Sequence, residues 1–417
     1  MNMGLINLFR RKEDILETIF PQLNNPLQEI REGALDKLEN LNLSIEQGLL
    51  VLEMAKNTFP VPEYEWQDIS AQLIDICAKN PYTEYIDKVE AIYNDLNANA
   101  KTSVLHFLST FESEKALLMY LRLLERSYED LEELPTGNLH QTPRFPQLLF
   151  PRLLKFVGNR DIKDQIYIIL LNYFNYDLVE DDILGEHKNT IIDEIRDMAD
   201  KTLGYALKRD ARTLWDDDGY IALRNRAGIY FDLAGYIKDP RIIEILKGLM
   251  GLWDMKLKMF AALSLLKHEW ELQQEDIFDV AADNESRNYF YDSLVMLGRE
   301  DIFPSKFKKQ KYFAESNMTD WLAHPTELGR VPDKMELMDV FEEDSEEYYL
   351  FRFKCSGDEK NDWMAGVAGA FKKEDTPTTN AEGNTFSRFE EWHSKPPKEH
   401  YLSMIGNTKG YWPGLLD

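Results

Sequence analysis

Apolar residues recur at three- and four-residue steps through most of the first 311 positions, the period of helices with one buried face. After Asn25-Pro26, for example, Leu27, Ile30, Ala34, Leu35 and Leu38 fall on one side of a helix. Local punctuation predicts where such helices begin. Asn25-Pro26, Asn80-Pro81 and Asp239-Pro240 each join a capping side chain to a proline that loses no hydrogen bond at the first helical position. Ser44 and Gln47 form a capping box ahead of Leu49, Leu50 and Leu52. The segments Asn80 to Leu124 and Ile183 to Lys208 continue in this style, with connections as short as Asn97 to Asn99. Short links force neighbouring helices to pack antiparallel, and stacked pairs of this kind build a solenoid or an irregular bundle.

Leu223 to Gly298 holds three successive rungs of such a stack. A basic residue in each, Arg224, Lys258 or Arg287, precedes small or aromatic residues and then a leucine, Leu233, Leu266 or Leu297. The basic positions stand 34 and 29 residues apart, which fits one helix pair per rung. Arg31 precedes Ala34, Leu35 and Leu38 much as Lys258 precedes Ala261, Ala262 and Leu266. These stretches resemble HEAT repeats. In that family a basic residue on the second helix commonly meets an acid in the preceding turn, and the resemblance implies that pairing for Asp254 and Lys258. The spacings fall short of the roughly 40 to 47 residues usual for such repeats, so the expected form is an irregular HEAT-like α-solenoid of antiparallel helix pairs.

One segment interrupts the rhythm. Leu134 to Pro151 carries Pro135, Pro143, Pro146, Pro151 and Gly137, and reads as a long loop over a groove or against a partner. Beyond Phe303-Pro304 and the connector SKFKKQK the pattern changes to alternation. MELMDVF, EYYLFRFKC and WMAGVAGAF are predicted strands, TFSRFEEW a fourth, and PKEHYLSMI a helix opened by Pro396 and Pro397. In the second strand Tyr349, Phe351, Phe353 and Cys355 share one face, with Tyr348, Leu350, Arg352 and Lys354 on the other. Residues 1–311 are therefore expected as the helical array and residues 312–417 as a small α+β domain, an antiparallel meander with a helix to cover one face. DWLAHPTELGRVPD, the FRF and GVAGAF strands and TFSRFE resemble the C-terminal region of uncharacterised bacterial HEAT-repeat proteins, a likeness that implies no activity.

Charge narrows the partner classes. The chain carries 74 acidic and 48 basic residues, a net charge of −26, which repels phosphate backbones. No nucleic acid is expected as a partner, and a basic protein is. Mean hydropathy is −0.45 and no apolar run is long enough to cross a bilayer, so no membrane role is expected. The N-terminal MNMGLINLFRRKEDIL lacks the charge order and cleavage site of a signal peptide, and the two cysteines, Cys77 and Cys355, offer no disulfide framework. A cytoplasmic setting and a monomer follow as expectations.

Catalytic and metal chemistry find little foothold. His106, His140, His187, His268, His324, His393 and His400 form no HExxH, and no cofactor or metal site is expected. His393 and His400 with Glu391 and Glu399 would converge only by an accident of folding, and the histidines are read as exposed. Asp216, Asp217, Asp218 and Gly219 fail as a calcium loop, because Leu214 and Asn225 would fall where carboxylates are required, and read as a helix-capping turn. Cys77 reads as a buried, inert thiol, and Gly366 and Gly369 as a bulge or a close backbone approach.

Candidate partner-binding residues are Trp321, His324 and Glu327, in a string read as a loop at the domain junction, and Arg144 and Arg152, in the basic strip that continues through Lys155, Arg160 and Lys163. The more economical reading of that strip is neutralisation of neighbouring acidic helices. The functional expectation is a non-catalytic scaffold whose acidic surface recognises a basic protein, an immunity protein that neutralises a toxin of opposite charge being one form. The alternative is an enzyme: a HEAT-like nucleic-acid base-processing enzyme resting on the Arg144 to Lys163 strip, or a hydrolase or transferase site in the C-terminal domain using His393 or His400.

Overall fold

The computed structural model describes residues 15–131, 133–137, 139, 144–208, 214–343, 345–355, 362–374, 376–381 and 389–411. The chain is mainly helical, with one small antiparallel sheet near its C-terminal end. Two compact units divide it, Met1–Lys188 and Asn189–Asp417. The change from helices to strands falls inside the second unit, between Ala323 and Lys334. His140, Pro143, Trp412, residues 385–388 of the fourth predicted strand and the N-terminal Met1 to Arg11 lie outside the described residues.

In the first unit, α1 (Gln28–Glu39), α2 (Ile45–Met54), α3 (Ile69–Ala78), α4 (Glu84–Ile92), α5 (Ala98–Thr110) and α6 (Glu114–Ser127) pack in two layers. The odd-numbered helices touch one another in succession, and so do the even-numbered ones. The capping box at Ser44 and Gln47 forms as the sequence predicts. Asn97 and Ser113 cap α5 and α6 through their side chains. Two predicted starts shift: α1 begins at Gln28 and α4 at Glu84, because Asn25 spends its side chain on Leu27 N–H and no side chain caps α4.

The predicted proline-rich loop ends at Phe145, where a left-handed backbone turn (φ 49°) admits α7 (Pro146–Leu153). Pro146 occupies the first position, where its missing N–H costs nothing, and Pro151 is tolerated within this short helix. Packing supplies the reason: Leu149, Phe150 and Leu153 are buried, each contributing roughly 1.5–3 kcal/mol. α8 (Lys163–Asn175) follows and packs on α7. Cys77 is buried, its thiol pushed up to about 12 by burial.

The second unit opens with α9 (Lys188–Ala206), whose first residue closes the first unit, and continues through α10 (Asp218–Ala234), α11 (Pro240–Leu249), α12 (Met255–Lys267), α13 (Gln274–Ala282), α14 (Arg287–Met296) and α15 (Gln310–Ala323). Asp217 caps α10 by accepting from Tyr220 N–H, the capping role predicted for this acid-rich turn. Asp239 caps α11 with Pro240 in its first turn. α10 packs on α12 and α12 on α14, while α11 and α13 each lie against α12. Met259, Leu263, Val280, Phe290, Phe303 and Phe313 form the core between these layers.

The strands β1 (Lys334–Glu343), β2 (Glu346–Lys354), β3 (Met364–Lys372) and β4 (Phe389–Glu391) pair antiparallel in chain order. α15 falls where alternation was expected from residue 312 onward, and covers one face of the sheet: Ala314, Met318 and Leu322 meet Tyr349, Phe351 and Phe353. The opposite face is also covered. There α16 (Pro397–Tyr411) brings Tyr401, Met404 and Ile405 against Tyr348, Leu350 and Val367. Gly366 permits the close approach of α15, since a Cβ there would lie 1.9 Å from Met318 Cε. Gly369, with φ +144°, lies opposite the register shift between Glu347 and Tyr349.

Candidate functional site

The three basic residues of the rungs are buried, and each is used as a bridge to the next rung. Arg224 on α10 forks onto Asp254, the N-cap of α12, with bonds of 2.7 and 3.1 Å, and onto Glu285, with bonds of 2.8 and 2.7 Å. Lys258 meets Asp276 at 2.8 Å and Asp279 at 3.4 Å. The expected Asp254–Lys258 pairing is therefore corrected: Asp254 belongs to the preceding rung's arginine, and Lys258 reaches forward to α13. Arg287 donates to the carbonyls of Ala281, Ala282 and Tyr312, each at 2.8 Å. Carbonyls at the end of α13 lack helical donors, which is why a buried cation is stable there.

A cleft of about 480 Å³ opens above the Arg224 cluster. One wall carries Trp215, from the 3-10 turn Leu214–Asp216, and Trp253, from the turn before α12. Asp283 and Glu285 come from the turn between α13 and α14, Lys256 from the first turn of α12, and residues 331–333 from the approach to β1. Local structure explains much of the acidity. Asp254 accepts Leu257 N–H at the start of α12, and Asp283 accepts Ser286 N–H and Oγ–H at 2.9 and 2.7 Å before α14. Arg224 also stands 5.6 Å from the centre of the Trp215 ring, and Trp253 Nε1 donates to the Ala206 carbonyl at 3.0 Å.

These carboxyls are in unlike states. Burial works against the charge of Glu285, yet the hydrogen bonds and charge of Arg224, with Lys256 at 3.1 Å, hold it down at about 2. Burial pushes Asp283 up, and the neighbouring Glu285 adds to the push. Asp320, on α15, is pushed up to about 7, first by burial and then by Glu285, with Lys256 opposing. The Asp320 side chain is nevertheless exposed at the surface of α15, and solvent there screens much of that push. Asp320 makes no hydrogen bond or ion pair among the described residues.

The residues singled out from sequence lie elsewhere. Trp321 is half-buried and packs edge-on to Phe389 against the sheet, with ring centres 6.0 Å apart. His324 is exposed and shares a 2.9 Å hydrogen bond with Thr326, whose hydroxyl donates to Glu327 at 3.4 Å. Arg144 and Arg152 belong to the first unit, where they pair with Glu112 at 3.3 Å and with Glu125 at 2.9 and 2.7 Å. Yet the string DWLAHPTELGRVPD does reach the cleft through its C-terminal end, Val331–Asp333. Trp215, Trp253, Asp283 and Glu285 are additions from the structure. A signal for the first two exists in the repeated Trp-Asp dipeptide ahead of α10 and α12.

Among the histidines, His400 corrects the expectation of exposure. It is fully buried, with Nδ1 2.6 Å from Glu390 Oε1 and Nε2 2.9 Å from the Trp392 carbonyl. The ring stacks on Trp392, so packing and hydrogen bonding both hold it inside. His393 is exposed. Among the described residues no three His, Cys, Asp or Glu side chains converge as a metal ion would require, and no helix is long and apolar enough to cross a membrane.

No family model, curated protein or solved structure matches this chain.

Proposed function

We propose that the chain is a non-catalytic protein-binding scaffold, a HEAT-like helical array with a C-terminal sheet domain, whose acidic surface receives a basic protein. The observation that carries this reading is the cleft beside Arg224, whose described lining includes Trp215, Trp253 and more carboxylates than cations. A net charge of −26 supports it, since the long-range field draws basic partners and repels nucleic acid. An immunity-type protein, acting as a cytoplasmic monomer that neutralises a basic toxin, is one form of this function. The alternative, an enzyme, keeps His393 and the rest of the Arg144 to Lys163 strip as handles, whereas both nitrogens of His400 are engaged in the interior and Arg144 and Arg152 each pair with an acid.

Titration of the full chain with a lysine- and arginine-rich peptide and with an acidic peptide of equal length tests the proposal. The basic peptide should bind saturably and more weakly as salt rises. Equal binding of the two peptides, or none by the basic one, overturns it.

A further inference from the structure

Residues 376–381, between β3 and β4, lie against α14 and α15, where polar side chains of both helices hold them. Asn288 and Asp292, four residues apart, share one face of α14, and Gln310 and Asn317, seven apart, share one face of α15. Gln310 meets Thr378 as a neighbouring strand would: its Oε1 accepts Thr378 N–H and its Nε2 donates to the Thr378 carbonyl, both at 2.9 Å. Asn288 and Asn317 each donate through Nδ2 to the Thr379 carbonyl, the first at 3.2 Å. The Thr379 hydroxyl donates to Asp292, standing 2.8 and 2.9 Å from its two oxygens. Main-chain groups are gripped throughout and one side chain is read, which is how proteins hold extended peptides.

The chain's own segment leaves this site short of donors. At Asp292 one hydroxyl proton serves two carboxylate oxygens, and no cation pairs with that residue among the described ones. Burial pushes Asp292 up, with the Thr379 hydrogen bond opposing. Asn288 is only 7 % exposed, yet its Oδ1 has no donor. Turning the amide round would not help, because Nδ2 already faces the carbonyls of Phe313 and Thr379. A lysine ammonium carries three donors and a positive charge on a slender stem, where threonine brings one donor and no charge.

We infer that residues 376–381 occupy, from within the chain, a site for an extended basic segment of the partner protein, which displaces them and sets a lysine on Asp292. This assignment rests on the binding-scaffold reading and adds to it a place, a side chain and an internal competitor. Because the competitor is tethered, it acts at a high effective concentration, and a partner must outbid it through the donors that Thr379 lacks.

The test uses the full chain and two acetylated, amidated probes, Pro-Thr-Lys-Asn-Ala and its norleucine counterpart, which repeat residues 377–381 with a charged or a neutral side chain in the place of Thr379. Calorimetry measures binding, and hydrogen exchange across 376–381 measures displacement. The lysine probe should bind roughly tenfold tighter than the norleucine probe and should speed exchange at Thr378, whose N–H it uncovers. Thr379→Ala, which loosens the internal segment and leaves the receiving side chains in place, should tighten the lysine probe further. Asp292→Asn still accepts the Thr379 hydroxyl and so keeps the segment docked, but it should erase the preference for lysine. Equal binding of the two probes, lysine binding without faster exchange at 376–381, a preference that survives Asp292→Asn, or no binding of the lysine probe each overturns the assignment. If the longer basic peptide of the preceding test still binds in any of these cases, only this site fails; if it does not, the scaffold reading fails with it.

Discussion

Arg224 and Asp254 stand thirty residues apart in sequence and meet through two hydrogen bonds inside the second unit, where both are almost wholly buried. Asp254 also caps α12, so one carboxylate fixes the start of a helix and its attachment to the helix before it. Removing the cation leaves both Asp254 and Glu285 charged and desolvated, which costs far more than the pairing gains. Arg224→Ala should therefore lose about 3–5 kcal/mol in urea unfolding. A loss below about 1 kcal/mol, the scale of an exposed pair, would show that water reaches the cluster.

The contact between His400 and Glu390 joins α16 to β4 in the same manner on a smaller scale. Glu390 also accepts from Lys395 and Ser403, so it keeps partners when the histidine is removed, whereas the Trp392 carbonyl loses its bond to His400 Nε2. His400→Ala is expected to cost about 1–3 kcal/mol from the unsatisfied acceptor and the lost packing. Thermal unfolding measures this, and unchanged stability would place the ring in solvent.

Residues whose conformation is decided by their immediate neighbours were legible in the sequence. Ser44 with Gln47, Asp239 with Pro240, and Asp217 all cap where their spacing says they should, because a cap depends on the next three residues alone. The alternating faces of β2 were legible for the same reason. Pairings across rungs were not: Arg224 and Glu285 are separated by 61 positions, and no local pattern says which acid a buried arginine will choose. Pro151 inside α7 and His400 inside the sheet domain go against local preference, because tertiary burial outweighs it. The cleft was half legible. Its string from Asp320 to Asp333 stood out, but Trp321, His324 and Glu327 drew attention as large or titratable residues, whereas the cleft uses the string's last three residues.

Gly48 lies in the middle of α2, where glycine weakens a helix, and the packing explains it. A Cβ there would meet Tyr85 Oη at 1.8 Å and its ring carbon at 2.4 Å, and Tyr85 is buried between α2 and its neighbours. The ring cannot swing aside as a flexible chain end would. Gly48→Ala should therefore destabilise by about 1–3 kcal/mol despite alanine's better helix propensity. Restoring space with Tyr85→Phe should recover part of that loss, and a Gly48→Ala protein more stable than the parent would show that Tyr85 relocates freely.

Glu285 and Asp320 make opposite contributions to stability as pH changes. Glu285 is held at about 2, below its ordinary 4.5, so its contribution is complete above pH 4.5 and is lost as pH falls towards 2. Its size is on the order of 3 kcal/mol, set by Arg224 and Lys256. Asp320 is raised from its ordinary 3.8 to about 7, so the stability linked to its protonated form is present below 3.8 and is lost as pH rises through 7. Solvent contact shrinks this second effect without reversing its sign. Urea midpoints between pH 2 and pH 8 should therefore show Glu285→Gln with a shallower acid loss, and Asp320→Asn with a smaller decline from pH 5 to pH 8 than the parent. Parallel curves for Asp320→Asn and the parent over that upper range would mean that the carboxylate sits in bulk water and that burial does not raise it.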